Sequence, residues 1–188
     1  MRIFTAIDLP EALLDELSLR LPTELSDTVR WAPLDQLHLT LVFIGEVSPH
    51  RLDPLLEAIA EVEFSPVSIH CREVGSFSSG ILWLGVEPSE ALLRLQQKLH
   101  RIIHGQGFQL PRRRYRPHIT LARGKAVDAG TMAVLANRMA GFEFSFETDA
   151  FCLKSSQLRQ EGAVYTTEAI FMADETAPEL NPRRRQVR

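Results

Sequence analysis

The chain has 188 residues, of which 45% are hydrophobic and 24% are charged, and its formal net charge is −3. This composition is typical of a globular protein with a buried core, and the net charge argues against a protein that coats nucleic acid non-specifically. No apolar run approaches the roughly 20 residues that a membrane helix needs, and the N-terminus lacks the sustained apolar stretch of a signal peptide. Two cysteines without a pairing motif, Cys71 and Cys152, suit a reduced cytoplasmic protein and exclude a zinc finger.

Alternating residues predict strands, and apolar residues at helical spacing predict helices, along the whole chain. We expect these elements in the first half: a strand at Arg2–Asp8, a helix opening at Pro10, an extended piece at residues 29–32, a strand from His38 to Gly45, a helix starting at Ser48 or Asp53, and strands at Val67–Phe77 and Ile81–Val86. We expect these in the second half: a helix capped by Ser89, a strand carrying His118, a helix capped by Asp128, and strands at residues 142–153 and 163–172.

This order predicts an α+β fold built from a duplicated unit, because a strand followed by a helix recurs in each half. We expect two pseudo-symmetric lobes, each with an antiparallel-rich sheet and two helices, whose sheets face one cleft. Residues 1–173 would form this single bilobal domain. Residues 174–188 are rich in Pro, Glu and Arg without apolar periodicity, and are predicted to be a disordered tail.

One tetrapeptide pattern occurs twice, as His38-Leu39-Thr40-Leu41 and as His118-Ile119-Thr120-Leu121. Both copies lie in predicted strands, where residues i and i+2 point to the same face. The histidine and threonine of each copy therefore share one face, and the aliphatic residues pack behind them. A lone His-x-Thr occurs by chance in many proteins, but two copies on strands that precede helices indicate one site built from two halves.

Two histidines at one site can act as general acid and general base. Histidine titrates near pH 6.5, so a neutral ring can take a proton from a nucleophile while a protonated ring gives one to a leaving oxygen. With threonine hydroxyls on the non-bridging oxygens, this arrangement suits phosphodiester cleavage without a metal. The symmetry of the two copies leaves open which histidine is the acid.

The second motif lies in a basic segment. Residues 111–125 include no acidic residue and six basic ones: Arg112, Arg113, Arg114, Arg116, Arg123 and Lys125. Such a patch suits a small anionic substrate or a nucleic-acid end, although a solvated basic loop explains residues 112–114 equally well. Arg123 is the candidate for stabilising transition-state charge. Strict alternation places it opposite His118, so it needs a bulge or twist at Ala122-Arg123 to reach the site.

The other histidines are interpreted as structural or surface residues: His50, His70, His100 and His104. The last two are four apart on a predicted helix, a spacing that can bind zinc, but no carboxylate lies nearby in the sequence. No Walker loop, G-x-G-x-x-G or nucleophile elbow is present. We therefore expect neither a cofactor nor a metal.

The aromatic residues divide into two groups by their predicted environment. Phe43 and Trp83 are interpreted as core residues. Trp31 and Tyr115 are candidates for a position near the cleft.

The paired motifs resemble those of the two-histidine (2H) phosphoesterases. More narrowly, the chain is similar to the RNA 2′,3′-cyclic phosphodiesterases of bacteria and archaea, also called 2′-5′ RNA ligases. The similarity covers about residues 1–172 and rests on the segments RIFTAIDLPE, VRWAPLDQLHLTLVFIGEV, ILWLGVE, YRPHITLAR and FCLKSSQLRQEGAVYTTEAIF.

The resemblance implies a V-shaped cleft that contains the active site. The enzyme would hydrolyse the 2′,3′-cyclic phosphates of RNA ends or nucleotides to 2′-phosphates. By position, His38 would be the proton donor to the departing 3′ oxygen and His118 the acceptor that activates water. Thr40 and Thr120 would hold the phosphate, and Arg123 would add positive charge. The same site would support 2′-5′ ligation if an RNA 5′-hydroxyl replaced water. We expect a monomer whose substrates are RNA ends or nucleotides. We expect no association with membranes.

Two alternatives remain open. The same cleft could serve a non-catalytic module that binds RNA ends or nucleotides, although a binder does not need two titrating groups. An enzyme could instead act on 2′-5′ linkages or on another cyclic phosphate, because the recognition groups would lie in loops around the cleft.

Overall fold

The computed structural model describes residues 1–22, 29–124, 127–159 and 162–174. Within these ranges there are nine strands: β1 (Arg2–Asp8), β2 (Val29–Trp31), β3 (His38–Glu46), β4 (Val67–Phe77), β5 (Ile81–Val86), β6 (His118–Gly124), β7 (Glu143–Thr148), β8 (Ala150–Arg159) and β9 (Gly162–Met172). The same ranges hold four α-helices: α1 (Glu11–Arg20), α2 (Pro49–Ala60), α3 (Glu90–Gly105) and α4 (Ala129–Arg138).

The strands form one antiparallel sheet. From edge to edge the order is β7-β4-β5-β6-β3-β1-β8-β9, with β2 beside β6. We name β3, β1, β8 and β9 the first half-sheet, and β6, β5, β4 and β7 the second half-sheet. Each half-sheet begins at the strand that carries a His-x-Thr pair, so the two motifs lie on adjacent central strands.

The predicted α+β class is confirmed, with two differences in the sheet. The two expected sheets are continuous, because β3 and β6 pair at Leu39 and Ile119. The single strand expected at residues 142–153 is two strands, since the chain passes at Asp149 from β7 at the edge of the second half-sheet to β8 inside the first.

Helix starts follow the predicted caps. The Ser89 hydroxyl accepts a hydrogen bond from the backbone N–H of Leu92 at 3.3 Å, and the Asp128 carboxylate accepts one from Thr131 at 2.7 Å. Both contacts satisfy an N–H that a helix start leaves unpaired. α2 begins at Pro49, directly after Ser48, which is one of its two predicted starts.

The core lies behind the motif strands. Leu39, Leu41, Ile119 and Leu121 are at most 2% exposed, which confirms that they pack on the face away from their histidines. Helix α3 contributes an apolar stripe to the same core, and its buried residues are Leu92, Leu95, Leu99 and Ile103. Both motifs are therefore fixed from behind by close packing, so their polar side chains are held on a rigid surface.

Two predictions concern membrane-spanning helices and the C-terminal tail. None of the helices in the described ranges is long and apolar enough to cross a membrane. The predicted tail falls outside the described residues except for Asp174, whose backbone N–H donates to the Phe64 carbonyl at 3.0 Å.

Candidate active site between the half-sheets

The two His-Thr pairs interleave on neighbouring strands. Because β3 and β6 are antiparallel and paired at Leu39 and Ile119, this register brings His38 nearest to Thr120 and Thr40 nearest to His118. All four side chains are half-buried. The structure thus brings the predicted residues together on one face of the sheet.

Each imidazole is oriented by the backbone two residues before it. His38 Nδ1 lies 2.8 Å from the Gln36 carbonyl, and His118 Nδ1 lies 2.7 Å from the Arg116 carbonyl. A carbonyl only accepts, so Nδ1 carries the proton that it donates in both rings. In the neutral rings Nε2 therefore has the lone pair, which is the form that can accept a proton.

Aromatic rings fix the positions of both imidazoles. The ring centroids of Phe4 and Tyr165 each lie 4.9 Å from that of His38. Phe77 meets His118 edge-on at 5.0 Å, and the Arg116 guanidinium lies over the Phe77 ring at 5.3 Å. These contacts limit ring rotation, as proton transfer in a fixed geometry requires.

A bulge in β6 determines where Arg123 lies. Thr120 pairs with Trp83 and Ala122 with Leu82, which leaves Leu121 as an extra residue. Leu121 and Ala122 are both fully buried, so alternation is interrupted and exposed Arg123 returns to the face of Thr120. The bulge precedes the position suggested by the sequence, Ala122-Arg123, and has the same effect.

The same bulge occurs in β3, where it corrects a prediction. Val42 pairs with Thr5 and Thr40 with Ala6, so Leu41 is the extra residue. The next outward residue is Phe43, which is 38% exposed and is therefore not a core residue as expected.

The assignment of Trp83 to the core also needs correction. Trp83 pairs with Thr120 across β5 and β6 and is half-buried. It therefore lines the face that carries the histidines. Its indole Nε1 is buried and has no hydrogen-bond partner among the described residues.

Burial and positive charge lower the proton affinity of both histidines. Burial lowers the pKa of His38 and of His118 below the ordinary value, and the Arg123 charge lowers both further. Opposing this, the carbonyl that accepts from each Nδ1 raises the pKa. Arg123 thus acts electrostatically on both halves of the site.

The remaining charges differ between the two histidines. At His118 they are cationic, because Arg113 and Arg116 lower its pKa further. At His38 the Lys154 ammonium lowers the pKa and the Asp8 carboxylate raises it. The site is therefore symmetric in its backbone and asymmetric in its charge.

Sequence reasoning missed Asp8 and Lys154. Asp8 pairs with His38 across β1 and β3, and its carboxylate lies 2.9 Å from Lys154 Nζ. The strand predicted at residues 142–153 ended before Lys154, so this lysine was not placed on a strand. Only the β1–β8 pairing, which the chain does not encode locally, reveals it.

The basic segment is linked to the site through Tyr115. The Tyr115 hydroxyl donates to the Thr40 carbonyl at 3.0 Å, which places this residue near the site as expected. Residues 112–114 are exposed. Lys125 of the predicted patch and the neighbouring residue 126 lie outside the described residues.

The other histidines stay apart from this site. His70 Nδ1 forms a hydrogen bond of 2.6 Å with the Ser145 hydroxyl between β4 and β7. The rings of His100 and His104 stack on α3 with centroids 6.4 Å apart. Among the described residues, no three His, Cys, Asp or Glu side chains group as metal ligands do.

Comparison with known proteins decides the family. Residues 10–160 match the model of the 2′-5′ RNA ligase superfamily. The chain belongs to this superfamily. One superfamily relative, the RNA 2′,3′-cyclic phosphodiesterase of Methanothermobacter thermautotrophicus, is 31% identical over 182 residues, covering 91% of this chain and 98% of the relative. The protein of the same name from Archaeoglobus fulgidus is 28% identical over 177 residues, covering 91% and 99%.

Solved structures of the superfamily share the fold. The crystal structure of Escherichia coli LigT complexed with 3′-AMP matches with a TM-score of 0.78 and 28% identity, covering 92% of this chain and 97% of LigT. The resemblance inferred from the sequence motifs is therefore confirmed by both sequence and structure.

Proposed function

We propose that the protein hydrolyses RNA or nucleotide 2′,3′-cyclic phosphates to 2′-phosphomonoesters by acid–base catalysis between His38 and His118. The observation that carries this proposal is the interleaving of the two His-Thr pairs on adjacent strands. The names of the relatives and the 3′-AMP bound to LigT support the substrate class. The site has two histidines that can carry protons and three side chains that can donate to a phosphate, all on one face.

The charges favour one assignment of the two histidines. His118 is surrounded by cations that favour its neutral form, so it serves as the base. At His38, burial and the charges of Lys154 and Arg123 lower the pKa, and the Asp8 carboxylate opposes them. We assign His38 as the acid because this carboxylate compensates a proton on its ring. This agrees with the roles that the family resemblance implies.

The reaction follows from these roles. His118 Nε2 takes a proton from water as the water oxygen attacks phosphorus. The bond between phosphorus and the 3′ oxygen breaks, and the proton from His38 goes to that oxygen. Thr40, Thr120 and Arg123 donate to the non-bridging oxygens, whose charge grows in the transition state.

An RNA 5′-hydroxyl in place of water would pass through the same steps. Its proton would go to His118, the 3′ oxygen would leave, and a 2′-5′ linkage would form. Ligation therefore needs no further catalytic group in this site, only a binding position for the second RNA.

Phosphorus NMR tests the proposed reaction. A 2′,3′-cyclic nucleotide, or a short oligonucleotide with the same end, is incubated with the enzyme in excess EDTA, and the products are followed over time. We expect the 2′-phosphate alone. Formation of the 3′-phosphate would contradict the assigned leaving group, and tight binding without turnover would indicate a binding module instead.

Substitution of the histidines tests the mechanism. His38→Gln and His118→Gln should each lower kcat about 10²- to 10⁴-fold, the usual contribution of a general acid or base. His104→Gln, an exposed residue on α3, is the matched control and should keep wild-type activity. Near-wild-type turnover in either site variant would rule out a two-histidine mechanism.

A further inference from the structure

The two half-sheets place different residues at equivalent positions around their histidines. Asp8 pairs with His38 in the first half-sheet, whereas Gly85 pairs with His118 in the second. One strand further out the difference continues, because β8 carries Lys154 where β4 carries Phe77. An ion pair thus stands beside one histidine, and an aromatic ring beside the other.

The ion pair is well built. Lys154 Nζ lies 2.9 Å from Asp8 Oδ1 and donates to the Thr167 hydroxyl at 2.9 Å. The Lys154 side chain is only 13% exposed, so its ammonium depends on the carboxylate for compensation. The Cys152 thiol donates to the other Asp8 oxygen at 3.4 Å, which holds the carboxylate in place.

Charged and titratable groups surround His38 from several strands of the described chain: Asp8 on β1, Cys152 and Lys154 on β8, Tyr165 on β9, and Arg123 on β6. Two of these groups are cations that disfavour an imidazolium, and both lower the pKa of His38. Asp8 is the carboxylate that opposes them. Without it, a proton on His38 would face two uncompensated positive charges.

We propose that Asp8 is a positioning residue for the acid of this site: it holds the Lys154 ammonium in an ion pair and supplies the negative charge that lets His38 carry a proton. This role rests on the proposed function, in which His38 is the proton donor. It explains why the carboxylate occurs in one half-sheet only. A general base such as His118 needs no such partner, and the equivalent position there is glycine.

Three variants test the proposal: Asp8→Asn, Lys154→Met and the double variant. The His38 ring titration is followed by proton NMR without substrate, and the pH dependence of kcat/KM is measured in parallel. We expect Asp8→Asn to lower the pKa of His38 by about half to one unit, because it removes a nearby negative charge. Lys154→Met should raise this pKa, because it removes a nearby positive charge. The double variant should titrate near the wild type.

A purely structural ion pair would behave differently. Loss of either partner would then lower the unfolding midpoint without opposite shifts in the His38 titration, and that result would overturn the proposal. Lys154→Met removes the buried charge, so it remains informative even if Asp8→Asn fails to fold. The control is Glu46→Gln, a carboxylate that pairs with Arg2 at the opposite end of β3, and it should leave the titration unchanged.

The two readouts separate this proposal from the proposed function. Opposite NMR shifts in the two single variants support the role of Asp8 even if no cyclic phosphate is hydrolysed. Normal hydrolysis with an unchanged His38 titration in both variants would refute the role of Asp8 and leave the proposed function standing. The limb of the pH profile that requires protonated His38 should move to lower pH in Asp8→Asn.

Discussion

Phe43 of β3 and Arg123 of β6 occupy equivalent positions, each directly after a bulge that follows a His-x-Thr pair. Both side chains are exposed, and both motif strands have the same order of buried and half-buried residues up to this point. The duplicated backbone therefore offers two equivalent positions beside the site. One position carries a cation and the other an aromatic ring, over which the Arg2 guanidinium lies at 5.3 Å.

Arg123→Met should lower kcat about 10²- to 10³-fold, because it removes a fixed donor to charge that grows in the transition state. Thermal stability should change little, since the side chain is exposed. Steady-state kinetics on a cyclic-phosphate substrate and a melting curve measure both effects. Arg101→Met, an exposed arginine on α3, is the control. Unchanged kcat in Arg123→Met would show that the phosphate is stabilised by other groups.

Arg112 and Arg114 should contribute to binding of an RNA chain but not of a mononucleotide. Both are exposed in the segment that precedes the second motif. The logarithm of kcat/KM for an oligonucleotide should fall with the logarithm of salt concentration, with a slope of about −0.7 per phosphate contacted. The double variant Arg112→Gln and Arg114→Gln should have a less negative slope than the wild type.

The matched control for this salt dependence is the pair Arg94→Gln and Arg101→Gln on α3. This pair should keep the wild-type slope. If the double variant at Arg112 and Arg114 also kept it, these residues would form only a solvated basic loop.

The stability of the protein should decrease on mild acidification. Burial lowers the pKa of His38 and of His118 in the native state, whereas both titrate near pH 6.5 when unfolded. Below that pH the unfolded chain binds protons that the native state does not, so the free energy of unfolding falls as pH falls towards the lowered native values.

Urea unfolding at pH 7.5 and at pH 5.5 measures this effect. The wild type should lose more stability between these conditions than a variant with both His38 and His118 replaced by Gln. A variant with His50 and His104 replaced, which are both exposed, should behave like the wild type. Equal losses in all three proteins would mean that the two site histidines do not carry the dependence.

Gly75→Ala should destabilise the fold by about 1–3 kcal/mol, as overpacking typically does. A Cβ at this position would overlap the Trp83 ring, which lies directly over Gly75. Because Trp83 pairs with Thr120, turnover should fall as well. Gly105→Ala at the end of α3, where a Cβ meets nothing within 4 Å, should not destabilise the protein. Calorimetry and kinetics on both variants would separate the two outcomes.

Local sequence patterns were sufficient to predict which face of each strand the motif histidines and threonines occupy. Alternation over three residues fixed the shared face of His38 and Thr40, and the buried aliphatic residues behind them agree. Helix caps were also local, as Ser89 and Asp128 show. The position of Arg123 was harder to predict from the sequence, because the bulge before it depends on how β6 pairs with β5.

Features that depend on pairing between strands distant in the chain could not be predicted from local sequence patterns. Asp8 and Lys154 meet because β1 pairs with β8, and no local pattern predicts which strands become neighbours. The break at Asp149 has the same origin, since alternation is similar on both sides and only the strand partners change. The exposure of Phe43 followed from a bulge, which interrupts the alternation of inward and outward residues along β3.

The junction between β3 and β6 has a mechanical consequence. Within the described chain, these strands are joined by the single pair Leu39 and Ile119, while α3 touches both β3 and β4. The half-sheets thus meet at one pair of residues, and α3 packs against both half-sheets across this junction. The relative position of His38 and His118 therefore depends on this one pair and on the packing of α3 behind it.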